Sequence, residues 1–198
     1  MDEITINEVL RLINQEPDPK IAFQKIINIG KDKLASAIWD TFNTMNIEDD
    51  IIAAKNWIQK AIKHFPESTG IYLGLDTLNM DNGLGSNAEI GLSSKCIPGE
   101  FADDWSYDCE FNGESHLINS LFQVADTFVN EQKWASDERS FVEYFIFLGY
   151  SGVVFREALL KVEIKNDFLS MWGFHDGDSF FLVTQLSGKR KIIAGSDI

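Results

Sequence analysis

Few side chains in this sequence are placed to carry out a reaction, and each has a plainer reading. Ser151 lies in "GYSGV", which imitates a Gly-x-Ser-x-Gly nucleophile elbow, but the second glycine comes one place early and no strand precedes it. It reads as a turn between helices. Cys109, His116 and a neighbouring acid would suit a thiol hydrolase. That chemistry needs a thiolate, and the acids around Cys109 raise a thiol pKa instead of lowering it. Cys96, Cys109 and His116 lack the paired spacing of zinc ligands. "DTLNMDNG" offers oxygen donors at Asp76, Asn79, Asp81 and Asn82, yet Gly83 and Glu89 fall outside the calcium-loop pattern, and the segment reads as a polar hairpin tip. His175, Asp176 and Asp178 in "HDGD" read as a tight turn between two strands. There is no phosphate loop, dinucleotide fingerprint or basic aromatic patch. The expectation is a protein that is not an enzyme and holds no metal or cofactor.

A different mixture stands out in "EFADDWSYDCEF", residues 100–111. Glu100, Asp103, Asp104, Asp108 and Glu110 are interleaved with Phe101, Trp105, Tyr107 and Phe111, with no cation among them. Protein interfaces use both ingredients. Aromatic anchors supply most of the binding energy, and rim charges set the association rate and select the partner. Residues 95–115 read as irregular, with Pro98 and Gly113; if "WSYDCEF" within them is a strand, the alternation of Trp105 and Tyr107 with Asp104, Ser106 and Asp108 gives it one aromatic and one anionic face. Either the rings turn inward and the acids outward, or the segment is a docking surface. In the second case Trp105 or Tyr107 enters a basic protein, and Asp103, Asp104, Asp108, Glu110 and Glu114 meet its lysines and arginines.

The charge balance favours a basic partner. The 198 residues carry 31 acids and 17 bases, a net charge of −14. Residues 71–148 hold 14 of the acids against Lys95, Lys133 and Arg139, a local net of −11. Such a field repels nucleic acid and anionic lipid and steers cations toward it. Two cysteines do not make a disulfide framework. The start, "MDEITINEVLRLINQEP", lacks the basic residues and apolar run of a secretion signal, and no stretch is long and apolar enough to span a bilayer. These features predict a cytoplasmic protein with reduced thiols that binds neither nucleic acid nor membrane.

The elements that position these residues change character at Pro66. Before it, apolar residues recur at helical spacing in four stripes: Ile6–Ile13, Ile21–Ile29, Leu34–Met45 and Ile51–Phe65, with Pro17 and Pro19 separating the first two and Asn46 capping the fourth. After it, "GIYLGLDTL" alternates with a period of two, and Asn82-Gly83 predicts a hairpin into "AEIGLSS". "SHLINSLFQVADTFVN" and "SDERSFVEYFIFLGY" read as helices, and "SGVVFREALLKV" as a further short one after Gly152. The end reads as a three-stranded meander, with Lys189, Arg190 and Lys191 guarding its edge. The predicted class is α+β in one domain over 1–198: a helical part at 1–66, then an antiparallel sheet with inserted helices at 67–198.

Residues 53–91, "AAKNWIQKAIKHFPESTGIYLGLDTLNMDNGLGSNAEIG", resemble bacterial immunity proteins encoded beside polymorphic and contact-dependent toxins. The shared features are a Trp-bearing helix, a short proline break and the "GIYLGLDTLN" strand. The resemblance covers about a fifth of the chain, implies an immunity role and transfers no site residues. Together with the charge it points to an inhibitor of a basic toxin domain, a nuclease being the kind that must be basic to hold a polyanion. The alternatives are an interaction module of other purpose and a small hydrolase with an acidic pocket.

Overall fold

The computed structural model describes residues 3–34, 37–75, 87–121, 123, 136–174 and 178–195. The hairpin tip at 76–86, half of the helix expected over 115–130 and the "HDG" turn lie outside the described residues; in the other half His116–Leu117 is a strand and the helix begins only at Asn119.

Helix α1 spans Glu3–Gln15 and α2 spans Pro19–Lys33. The two prolines force the break between them. Pro19 occupies the first turn of α2, where its missing N–H costs nothing. Asp18 caps that helix by accepting from the backbone N–H of Lys20 at 2.9 Å and of Ile21 at 3.1 Å. The third stripe forms a 3-10 helix, Ala37–Thr44, whose Trp39 ring lies against Gly30. Helix α3 runs Ile47–His64, and the Asn46 side chain accepts from Asp49 N–H as its cap.

The strands are β1 (Gly70–Leu75), β2 (Asn87–Ser93), β3 (Phe111–Asn112), β4 (His116–Leu117), β5 (Phe168–Phe174), β6 (Ser179–Leu186) and β7 (Lys189–Gly195). They form one sheet in the order β3-β2-β1-β5-β6-β7, with β4 also on β2. The α+β class and the order of helices before strands are as expected. The sheet is mixed, however, because β1 pairs parallel with β5, Gly70 opposite Leu169 through Leu75 opposite Phe174. Every other pairing is antiparallel. The parallel joint follows from a long helix, α4 (Ser136–Lys161), that returns the chain before β5 begins.

That helix also corrects the expected break after Gly152. The chain continues through Gly149 and Gly152 because these glycines admit close neighbours. A Cβ at Gly152 would lie 2.6 Å from Ile13 and 2.9 Å from Trp172, and one at Gly149 would lie 2.9 Å from Ile26. Val142, Phe145–Leu148 and Tyr150–Leu159 are buried with no solvent-facing stripe, the mark of a central helix. Helix α4 packs against α1, α2 and α3 and against β5 and β6. Among the described residues no helix is long and apolar enough to cross a membrane.

The sheet has two unequal faces. Ile71, Leu73, Leu75, Ala88, Ile90, Leu92, Phe168 and Trp172 join the main core with the helices. The opposite face carries a small cluster of Leu169, Met171 and Ile193 with Cys96 and Trp105. This second cluster fixes the acidic segment in place.

Candidate partner-binding surface

Residues 94–110 cross the second face of the sheet, and Trp105 is the plug that holds them there. The strand alternative does not hold: the segment is irregular around a 3-10 turn, Asp104–Tyr107, closed by Ser106 N–H on the Asp103 carbonyl at 2.9 Å. The Trp105 indole is 5% exposed and donates to the Ala102 carbonyl at 2.8 Å. It rests over Gly70, where a Cβ would come within 2.5 Å of the ring. A turn has no two-fold alternation, so the rings at 105 and 107 part company. Trp105 goes into the core and is not available as an anchor for a partner. Tyr107 projects outward at 79% exposure, the most exposed of the large apolar side chains described. Phe101, 38% exposed, packs edge-on to Phe181 with centroids 5.4 Å apart.

All five acids of the candidate site are exposed, but they are not equivalent. Glu110 accepts from the backbone N–H and the hydroxyl of Ser94 at 2.6 and 2.7 Å, which lowers its carboxyl pKa and ties the loop to the end of β2. Asp108 pairs with Lys95 at 2.6 Å, and the ammonium lowers its pKa. Glu114 lies past β3, pairs with Lys60 of α3 at 2.7 Å, and is lowered by it. Its backbone carbonyl accepts from Trp57 Nε1 at 2.7 Å. Asp103 and Asp104 have no ion pair among the described residues. Of these five acids, the uncompensated ones are therefore Asp103 and Asp104, beside Tyr107. Sequence could not separate these acids, because Lys95 and Lys60 reach them from other elements.

No protein-family model, curated protein or solved structure matches this chain. Its function must be argued from the geometry.

The reactive groups weighed above are held apart. Ser151 is buried in α4, with its hydroxyl on the Leu148 carbonyl at 3.3 Å. Cys109 packs over Gly91, whereas His116 pairs with Ala88. Three residues along a strand separate those positions, about 10 Å. Among the described residues no group of three or more His, Cys, Asp or Glu is placed to hold a metal. Burial pushes the Cys96 thiol up to about 12 and that of Cys109 to about 11, the latter aided by Asp108 and Glu110. At pH 8 a pKa near 11 leaves about 0.1% thiolate, against roughly a quarter for an unperturbed cysteine. Alkylation of the native protein by iodoacetamide is expected to run about 100-fold slower than that of the urea-unfolded chain. Equal rates would show that the thiols are not shielded in this way.

His116 is a half-buried titratable group at this end of the sheet. Its ring stacks on Trp57 at 4.9 Å, and its Nε2 is buried without a hydrogen-bond partner. Burial lowers its pKa, opposed by the carboxylate of Asp50. The unfolded chain then takes up a proton near pH 6.5 that the folded protein refuses. Stability is expected to be full above that pH and to fall as pH drops from about 7 toward the lower folded value. His116→Phe keeps the stack and should flatten this part of the denaturation-midpoint profile. An unchanged pH slope in that variant would assign the effect elsewhere.

Proposed function

We propose that this chain is an acidic, non-catalytic protein-binding inhibitor of the immunity-protein kind, which neutralises a basic toxin domain. The observation that carries the reading is the surface at 100–108. Asp103 and Asp104 are exposed without ion pairs among the described residues, next to the exposed Tyr107 ring, on a loop locked by Trp105 and Glu110. A rigid, anionic surface with an aromatic tip loses little entropy on binding and offers carboxylates where a nuclease would hold phosphates. The net charge of −14 adds long-range attraction for such a partner.

The test uses the product of the adjacent gene if it encodes a basic toxin C-terminus. Co-expression with this chain should rescue cells from that domain, and the purified pair should associate more slowly as salt rises. A toxin domain that is acidic, or one that kills equally well in the presence of this chain, would overturn the proposal.

A further inference from the structure

A second site lies away from the acidic loop, where the C-terminal ends of α3 and α4 meet β7. The cleft there has a volume of about 540 Å³, within the range of small-molecule pockets. Ile62, Pro66, Val162 and Ile164 make its walls apolar. Three cations, Lys63, Lys165 and Arg190, complete the lining, with Glu163 the only acid. The Glu163 backbone is engaged with Gln59, which donates to its carbonyl at 3.1 Å and accepts from its N–H at 2.6 Å. This pair of hydrogen bonds closes one side of the cleft and ties α3 to the residues that follow α4.

Arg190 is fixed from behind. It donates to the carbonyls of Leu159 and Val162 at 2.7 and 2.6 Å and to the Gln185 side chain at 2.8 Å, and it lies over the Phe168 ring at 5.7 Å. A guanidinium has five donors, so this leaves N–H groups over for a ligand. The Lys63 and Lys165 side chains are exposed and make no ion pair among the described residues. An apolar cleft with a pre-positioned guanidinium and two free ammonium groups is unusual on a chain of net charge −14. The distant acids matter little inside it, because exposed charges are screened over ~8 Å at physiological ionic strength.

We infer that this cleft binds a small amphipathic carboxylate, its apolar body on Ile62, Val162 and Ile164 and its carboxylate toward Arg190, Lys63 and Lys165. The occupant is a free monocarboxylate of the fatty-acid type. The inference does not depend on the inhibitor reading, since it uses none of the residues at 100–114.

Calorimetric titration of the full chain with decanoate tests it, with decanol and acetate as comparisons. One decanoate per chain should bind saturably, at least tenfold more tightly than decanol, with no detectable heat from acetate. Amide NMR shifts on saturation should centre on residues 59–66 and 162–165. Lys63→Gln with Lys165→Gln changes only exposed side chains and should weaken decanoate tenfold or more. Non-saturable uptake, equal affinity for decanol, or indifference to the double glutamine change would each overturn the inference. So would a dimer in sedimentation whose interface covers the cleft and which decanoate does not dissociate.

Discussion

Replacing Arg156 with alanine should cost this fold about 3–5 kcal/mol, the range for breaking a buried charge pair from one side. The Arg156 side chain has no exposed surface and sits near the C-terminal end of α4. Its Nη1 donates to the carbonyls of Ile13 and Glu16, both at 2.7 Å. Those carbonyls end α1, where no further turn of helix supplies partners. Its Nε donates to Glu157 at 3.0 Å, and Nη2 lies 2.9 Å from the same carboxylate oxygen, in Coulomb contact but poorly aligned for a hydrogen bond. Alanine would strand a carboxylate that is 11% exposed, with only Lys161 at 3.4 Å to offset it. It would also orphan two carbonyls and open a cavity beneath α1. For a chain of this length the melting midpoint should drop by roughly 10–15 °C. Arg156→Met with Glu157→Leu removes both charges and refills the space, so it should recover part of the loss. A midpoint within a degree or two of the parent for Arg156→Ala would mean that the guanidinium does not hold α1 in place.

How far the sequence reveals such a link depends on the distance over which it acts. The first three helices and the final meander were legible because their signals are local. Pro17 and Pro19 cannot continue a helix, Asn46 caps one, and Ser187-Gly188 takes the left-handed conformations that a two-residue hairpin needs, with φ of 51° and 73°. Arg156 was not singled out, because a lone arginine in an apolar helix says nothing of the carbonyls it will meet 140 and 143 residues earlier. Arg190 stands on β7, an edge strand as expected, and its guanidinium also closes the end of α4, a contact with no local signal in the sequence. The parallel joint of β1 with β5 was equally hidden, since strand direction is set by the return of α4 and not by either strand. Asp50 is a further case. It sits among the first-turn acids of α3, yet it is 2% exposed and accepts from the Tyr150 hydroxyl at 2.7 Å and from Ser120 N–H at 3.3 Å.

The acidic segment was legible in composition and misleading in conformation. Period-two alternation at 104–108 fits a strand, but a strand would carry Trp105 and Tyr107 on the same face. The 3-10 turn sends them in opposite directions, because Gly70 leaves room for one indole on β1 and the chain must close over it. Trp105→Ala therefore tests the fold and not the partner. Removal of a buried tryptophan of this kind costs about 3–5 kcal/mol.

The change that tests the surface itself is reversal of Asp103 and Asp104 to lysine. Both carboxylates are exposed and neither is paired among the described residues, so stability should shift by about 0.5 kcal/mol or less. The local charge, however, moves from −2 to +2. Electrostatic steering lifts association from a neutral range near 10⁵–10⁶ M⁻¹s⁻¹ by as much as two to three decades, and the uncompensated acids nearest the docking tip contribute most to it. The double reversal should slow association with a basic toxin domain by an order of magnitude or more, and the slowing should shrink as salt is added. Asp32→Lys makes a change of the same sign at an exposed position on α2 and should alter the rate little. Tyr107→Ala should act on the other constant. It leaves the charges in place and removes the aromatic tip, so dissociation should quicken while association holds. Stopped-flow rates for the parent and these three variants across a salt series separate the two contributions. If association is indifferent to the double reversal, the acids at 100–108 are a solvated face. If Tyr107→Ala leaves dissociation unchanged, the exposed ring has no part in the complex.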